Sequence, residues 1–158
     1  MCIRDRHSII QDLTEPDTPK QNPAELQGGI LKKRIRNRMR STNTPVRLWD
    51  YSFEYESSIR TLTASTHIMN EGATAFEKVM GYTPNISEYI QHDWYDWVWF
   101  NDPRDPDIQR LGRWLGPAHS ANQGMAYHVL TNAGQVVTRS TVISLDKDEL
   151  TNETNKQR

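Results

Sequence analysis

Between Pro23 and Ser41 the apolar residues Leu26, Ile30, Leu31, Ile35 and Met39 fall at helical spacing, the mark of a single stripe along one helix. Asn22 is a favoured N-cap residue, Pro23 suits the first helical position and Glu25 stands at the third. Gly28 and Gly29 weaken that helix by about 1 kcal/mol each relative to Ala. They also leave room for another backbone to approach. After a turn at Ser41–Pro45, a second helix is expected from about Val46 to Ala64, burying Leu48, Trp49, Phe53, Ile59 and Leu62. A short third helix, about Thr74 to Met80, stops at Gly81.

From Trp94 the period changes to two. In Trp94–Phe100, Tyr95, Trp97 and Trp99 take one face of a strand and Asp96, Val98 and Phe100 the other. Asn101–Asp107 reads as a polar loop. Leu111–Gly116, Ala126–Thr131 and Gln135–Leu145 read as further strands, the last two joined by a hairpin turn at Asn132–Gly134. Short antiparallel strands at this spacing predict a small β-barrel. Helical packing is the expected role of Trp49, Tyr51 and Tyr55. Trp97, Trp99 and Trp114 suit a barrel core, or alternatively an aromatic surface facing DNA.

Overall charge changes little in this picture: 158 residues carry a formal net charge of −1. Its distribution matters more. From Thr18 to Arg47 there are eight Lys or Arg residues against one acidic residue, Glu25. Lys32, Lys33, Arg34, Arg36, Arg38 and Arg40 crowd into nine positions of the first helix. A local cationic face within a near-neutral chain points to an anionic partner. Contacts of this kind to phosphate give affinity without reading sequence. No apolar run has transmembrane length, and no signal peptide is evident, so an intracellular protein with no membrane partner is expected.

Glu25 has two readings. Asn22-Pro-Ala-Glu25 fits a capping box, in which the glutamate reaches back to the N-cap amide. A carboxylate at the mouth of a cationic helix also points toward nucleic acid, with a catalytic carboxylate as the second reading. His67, His92, His119 and His128 lack zinc-ligand spacing. Walker-type and dinucleotide-binding glycine motifs are absent, as is a Gly-x-Ser-x-Gly elbow.

Thr18-Pro-Lys-Gln-Asn-Pro-Ala-Glu25 resembles the segment that carries the last acidic residue of the Asp, Asp, Glu triad in retrotransposon integrases of the copia-like group. In this chain the step from Asn22 to Glu25 is one residue shorter than the common form, and Leu26 replaces the usual Arg. Arg47-Leu-Trp-Asp-Tyr-Ser-Phe-Glu-Tyr-Glu56 is similar to the helix that follows in those integrases. Thr74–Ser87 resembles the end of the core, with Ala75 in place of a Pro and Glu77, Gly81 and Pro84 retained. Leu115-Gly116 and Arg139-Ser-Thr-Val142 fill comparable places in the strands that follow the core.

The resemblance implies an α/β then β chain: the C-terminal part of an RNase H-like integrase core over residues 7–90, then a small antiparallel β-barrel over 91–145. His7–Glu15 would be the strand leading to Glu25, and residues 146–158 a disordered tail. Met1–Arg6 looks like an adapter-derived scar, which would make Cys2 non-native and the chain an N-terminal truncation. Implied with the family are metal-dependent DNA strand transfer and double-stranded DNA as partner. A homo-oligomer in the full-length protein is implied too, as is location in the nucleus or a retrotransposon particle. Glu25 would be the catalytic glutamate, one ligand of Mg²⁺ or Mn²⁺, and the six cations would hold DNA phosphates. Two of the three expected carboxylates would lie upstream, so the chain alone is expected to be inactive. The alternative is a non-catalytic module that binds nucleic acid or chromatin through the basic helix and the aromatic strands.

Overall fold

The computed structural model describes residues 22–64, 72–103, 105–119 and 125–145. Helix α1 spans Pro23–Ser41, the bounds its punctuation predicts, and the Asn22 side chain caps it. Leu31, Ile35 and Met39 turn inward, with Ile35 buried, whereas Leu26 and Ile30 are exposed. The expected stripe therefore divides between two faces of the helix.

The second helix differs from its expected form. Val46–Leu48 is a 3₁₀ turn, and helix α2 proper runs Trp49–Leu62. Its buried side is Leu48, Ser52, Tyr55 and Glu56, while Trp49 is 57% exposed and Phe53 43% exposed. Within α2, at 100° per residue, Trp49 and Phe53 lie about 120–160° round the helix from Tyr55 and so do not share its inward side. Tyr55 and Glu56 then take the inward position that Trp49 and Phe53 were expected to hold. Helix α3, Ala75–Met80, forms where predicted. A full capping box closes its start, with Glu77 N donating to Thr74 Oγ1 at 3.0 Å and Thr74 N donating to Glu77 Oε2 at 2.8 Å. A short helix α4, Ser87–Ile90, was not anticipated.

Five antiparallel strands follow: β1 Trp97–Asp102, β2 Asp105–Pro117, β3 Tyr127–Thr131, β4 Val136–Arg139 and β5 Val142–Ser144. Their spatial order is β4-β3-β2-β1-β5. Three expectations need correction. Most of the presumed polar loop at Asn101–Asp107 is strand, since Asp102 pairs with Asp105 across a tight hairpin. The presumed strand Gln135–Leu145 is two strands on opposite edges of the sheet. The sheet is not closed into a barrel, because β4 and β5 do not pair.

Geometry explains the last two together. Four strand spacings would hold β4 and β5 about 19 Å apart in a flat sheet. From Arg139 to Val142 the chain takes three Cα steps, about 11 Å at most. The sheet must therefore curl until its edges approach at Ser140–Thr141, yet it stays open. Gly134, in the left-handed region at φ 79°, turns β3 into β4 as expected at Asn132–Gly134.

One apolar cluster joins helices and sheet, uniting Leu48 and Tyr55 with Trp94, Val98, Phe100, Trp114, Leu115, Tyr127, Val129 and Leu130. Tyr55 lies 5.3 Å from the Trp94 ring and 5.6 Å, edge to face, from Trp114. Such aromatic contacts add about 1 kcal/mol each beyond area burial. Gly116, at φ 110°, is where Tyr55 comes closest to the sheet: a Cβ there would meet Tyr55 Cδ2 at 3.3 Å. The indole N–H of Trp94 donates to Thr44 Oγ1 at 3.1 Å, and Arg47 Nη1 donates to Gly134 O at 2.8 Å. These bonds tie both ends of the α1–α2 connection to the second half of the chain, at Trp94 just before β1 and at the β3–β4 turn. His7–Glu15, the expected strand, lies outside the described residues, as do residues 1–6 and the tail from 146.

Candidate nucleic-acid interface

Helix α1 is nucleated by polar chemistry at its start. Asn22 Oδ1 accepts from Ala24 N at 3.1 Å and Glu25 N at 3.3 Å, satisfying two amides that have no partner within the helix. The Glu25 half of a capping box does not form among the described residues, in contrast to Thr74 and Glu77. Glu25 is exposed in the first turn, where a negative charge is favoured, and Arg38 and Arg40 occupy the last, where positive charge is favoured.

Lys32, Lys33, Arg34, Arg36 and Arg40 are all exposed. At 100° per residue, Glu25, Lys32, Lys33, Arg36 and Arg40 fall on one side of the helix, with Arg34 on the other. The four clustered cations extend about 12 Å along the axis at 1.5 Å per residue. Glu25 heads the same face. The helix therefore presents a rigid row of positive charge led by one carboxylate.

Arg38 does not belong to that row. Its Nε donates to Glu56 Oε1, and its Cζ lies 5.1 Å from the centre of the Tyr55 ring. Glu56 is buried, so this guanidinium neutralises a carboxylate inside the helical hairpin. The sequence offered no signal for the pair, whose members stand eighteen residues apart on different helices.

The tryptophans separate likewise. Trp114 is fully buried in the core, while Trp97 and Trp99 are half-buried on β1. Arg113 lies on this side, with its Cζ 3.6 Å from the Trp97 ring centre and 4.8 Å from that of Tyr95. Arg113 Nη1 also donates to Tyr95 O at 2.9 Å. Trp97 is thus covered by a guanidinium from its own sheet. A cleft lined by residues of β1, β2, β3 and β4 and of the β3–β4 turn holds further polar groups, Gln109, Arg110, Gln135 and Arg139, that periodicity did not single out.

Among the described residues no group of three or more His, Cys, Asp or Glu side chains gathers in a way that could hold a metal ion. Glu25 supplies one carboxylate, fewer than a two-metal site needs. These residues do not complete a Mg²⁺ or Mn²⁺ site by themselves. No helix among the described residues is long and apolar enough to cross a membrane. No family model matches the chain, and neither the curated proteins nor the solved structures compared with it give a match.

Proposed function

We propose that the chain is the C-terminal part of a copia-like integrase whose helix α1 lies along double-stranded DNA. The observation that carries this reading is the exposed row of Lys32, Lys33, Arg36 and Arg40 with Glu25 at its head. The cations neutralise backbone phosphates and hold the duplex in register without selecting sequence. In the longer protein Glu25 joins upstream carboxylates, within an RNase H-like sheet, to complete the Mg²⁺ or Mn²⁺ site for strand transfer. A second reading, which calls on the exposed row alone and on no metal, is a non-catalytic binding module.

Two measurements test this. Duplex affinity of the chain should fall with salt, and Lys33→Gln or Arg36→Gln should each reduce the log–log slope by about 0.9. Salt-independent or absent duplex binding would rule out both readings. In the longer protein, Glu25→Gln should abolish strand transfer and spare binding. Surviving strand transfer would leave Glu25 as a helix-terminal residue with no role in the chemistry, and absence of strand transfer from the unaltered longer protein would remove the integrase assignment.

A further inference from the structure

A crevice of about 340 Å³ opens between the second half of α2, helix α4 and the turn before it, with Phe76 of α3 and His119 beyond β2 in its wall. The volume lies within the range of pockets that hold small organic ligands. Leu62, Phe76 and Pro84 make one part of the lining apolar. The polar part is mostly acceptor. Ser57 Oγ donates to Glu54 O and Thr61 Oγ1 donates to Ser57 O, both at 2.9 Å. Each hydroxyl has thereby spent its one proton on a helix carbonyl and offers a ligand only lone pairs. Half-buried Glu88 adds a carboxylate that forms no ion pair among the described residues, and no Lys or Arg among them lines the crevice. The Oδ1 of Asn85 already accepts from Ser87 N and Oγ, and the residue is exposed, so its N–H groups stay hydrated.

Tyr89 and His119 stand in the same wall, with Tyr89 Oη 2.7 Å from His119 Nε2. Burial pushes the Tyr89 phenol up; a hydrogen bond to Ser58 opposes the shift, and the negative charges of Glu88 and Glu54 reinforce it. Carboxylate charge therefore reaches this wall, with no cation in the lining to cancel it. A ligand suited to these groups donates several hydrogen bonds, carries positive charge and brings a short apolar stem. We propose that the crevice binds a primary alkylammonium group, with its charge at Glu88 and its stem along the apolar part of the lining. An ammonium has donors and no acceptor, which matches a wall of lone pairs. The lysine side chain of a peptide and a free polyamine both present that group. The crevice shares no residue with the exposed row of α1 and needs no DNA.

The test titrates the whole chain with n-pentylammonium chloride, with n-pentanol and sodium pentanoate in parallel, and reads the ring resonances of Phe76 and Tyr89 by NMR. The ammonium should bind about fivefold more tightly than the alcohol, and the carboxylate should not bind. Glu88→Gln should remove that margin and leave pentanol binding unchanged. Asp50→Asn, at an exposed carboxylate of α2 outside the crevice, should leave both unchanged. If Glu88→Gln does not fold, judged by circular dichroism, the order of the three probes on the unaltered chain decides alone. Equal binding of ammonium and alcohol, tighter binding of pentanoate, or an equal loss with Asp50→Asn would overturn the proposal. Competition by a capped glycine-lysine-glycine peptide at lower concentration than spermidine assigns the group to a protein, and the reverse order assigns it to a polyamine. Either order upholds the crevice, and competition by neither overturns it.

Discussion

Arg38 of the basic helix and Glu56 of its neighbour form an ion pair across the helical hairpin, and the same guanidinium lies against the Tyr55 ring. The Glu56 side chain is 4% exposed and that of Arg38 32%. A carboxylate this deep needs its partner, since leaving a charge buried and alone is costly.

Arg38→Met should therefore destabilise the fold by about 2–3 kcal/mol, below the fully buried range because Arg38 is partly solvated. Arg36→Met, on the exposed row, should stay within about 0.5 kcal/mol. Urea midpoints for the two variants separate the structural cation from the solvent-facing one. Equal midpoints would refute the distinction.

Gly112 lies in β2 where the sheet is tightest. A Cβ there would stand 2.5 Å from Val129 Cγ1, 2.9 Å from Leu130 O and 3.0 Å from Phe100 Cε1. The carbonyl belongs to the neighbouring strand and cannot swing aside. Gly112→Ala should cost about 1–3 kcal/mol through overpacking, read as a lowered thermal midpoint. Gly28→Ala, with open space around it, should not lower the midpoint.

The Trp94 indole N–H reaches Thr44 Oγ1 from a fully buried ring. Thr44→Val keeps the shape and removes the acceptor, leaving a buried donor without a partner at a cost of about 1–3 kcal/mol. Thr42→Val removes only the hydroxyl that bonds to Thr44 Oγ1 and Arg38 O. The larger loss of stability should follow Thr44, as measured by chemical denaturation.

His92 is buried between Trp114 and Tyr127, and its Nδ1 lies 2.9 Å from Ser144 Oγ on the edge strand β5. Burial holds its imidazole below the usual histidine range, with Asp96 pulling weakly the other way. Burial lowers His128 too, where Glu54 opposes and His119 reinforces the shift. A depressed folded pKa means that the unfolded chain binds the proton first. Stability is then fully present above about pH 6.5 and is lost as pH falls through the folded values. Urea midpoints should drop between neutral and mildly acidic pH, and His92→Gln should flatten part of that slope. An unchanged slope would show that His92 contributes nothing to it.

Local chemistry in the sequence determined a good deal. Asn22, Pro23 and the apolar spacing set the limits of α1, and Thr74, Glu77 and Gly81 set those of α3, because caps and helical period act within a few residues. The alternation around Val98 and Phe100 was legible for the same reason, and so was the concentration of cations in one helix.

Relationships between distant residues were decided by the tertiary structure alone. Which side of α2 met the sheet was settled by packing, which took in Tyr55 and left Trp49 exposed. The short step from Arg139 to Val142 curled the sheet and put β4 and β5 on opposite edges, which strand period cannot reveal. The removal of Arg38 from the cationic row depended on Glu56, a carboxylate on another helix. Hydrophobic period fixes which side of an element seeks the core. Which partner it meets there, and which charges remain free for a ligand, depends on packing between elements far apart in the chain.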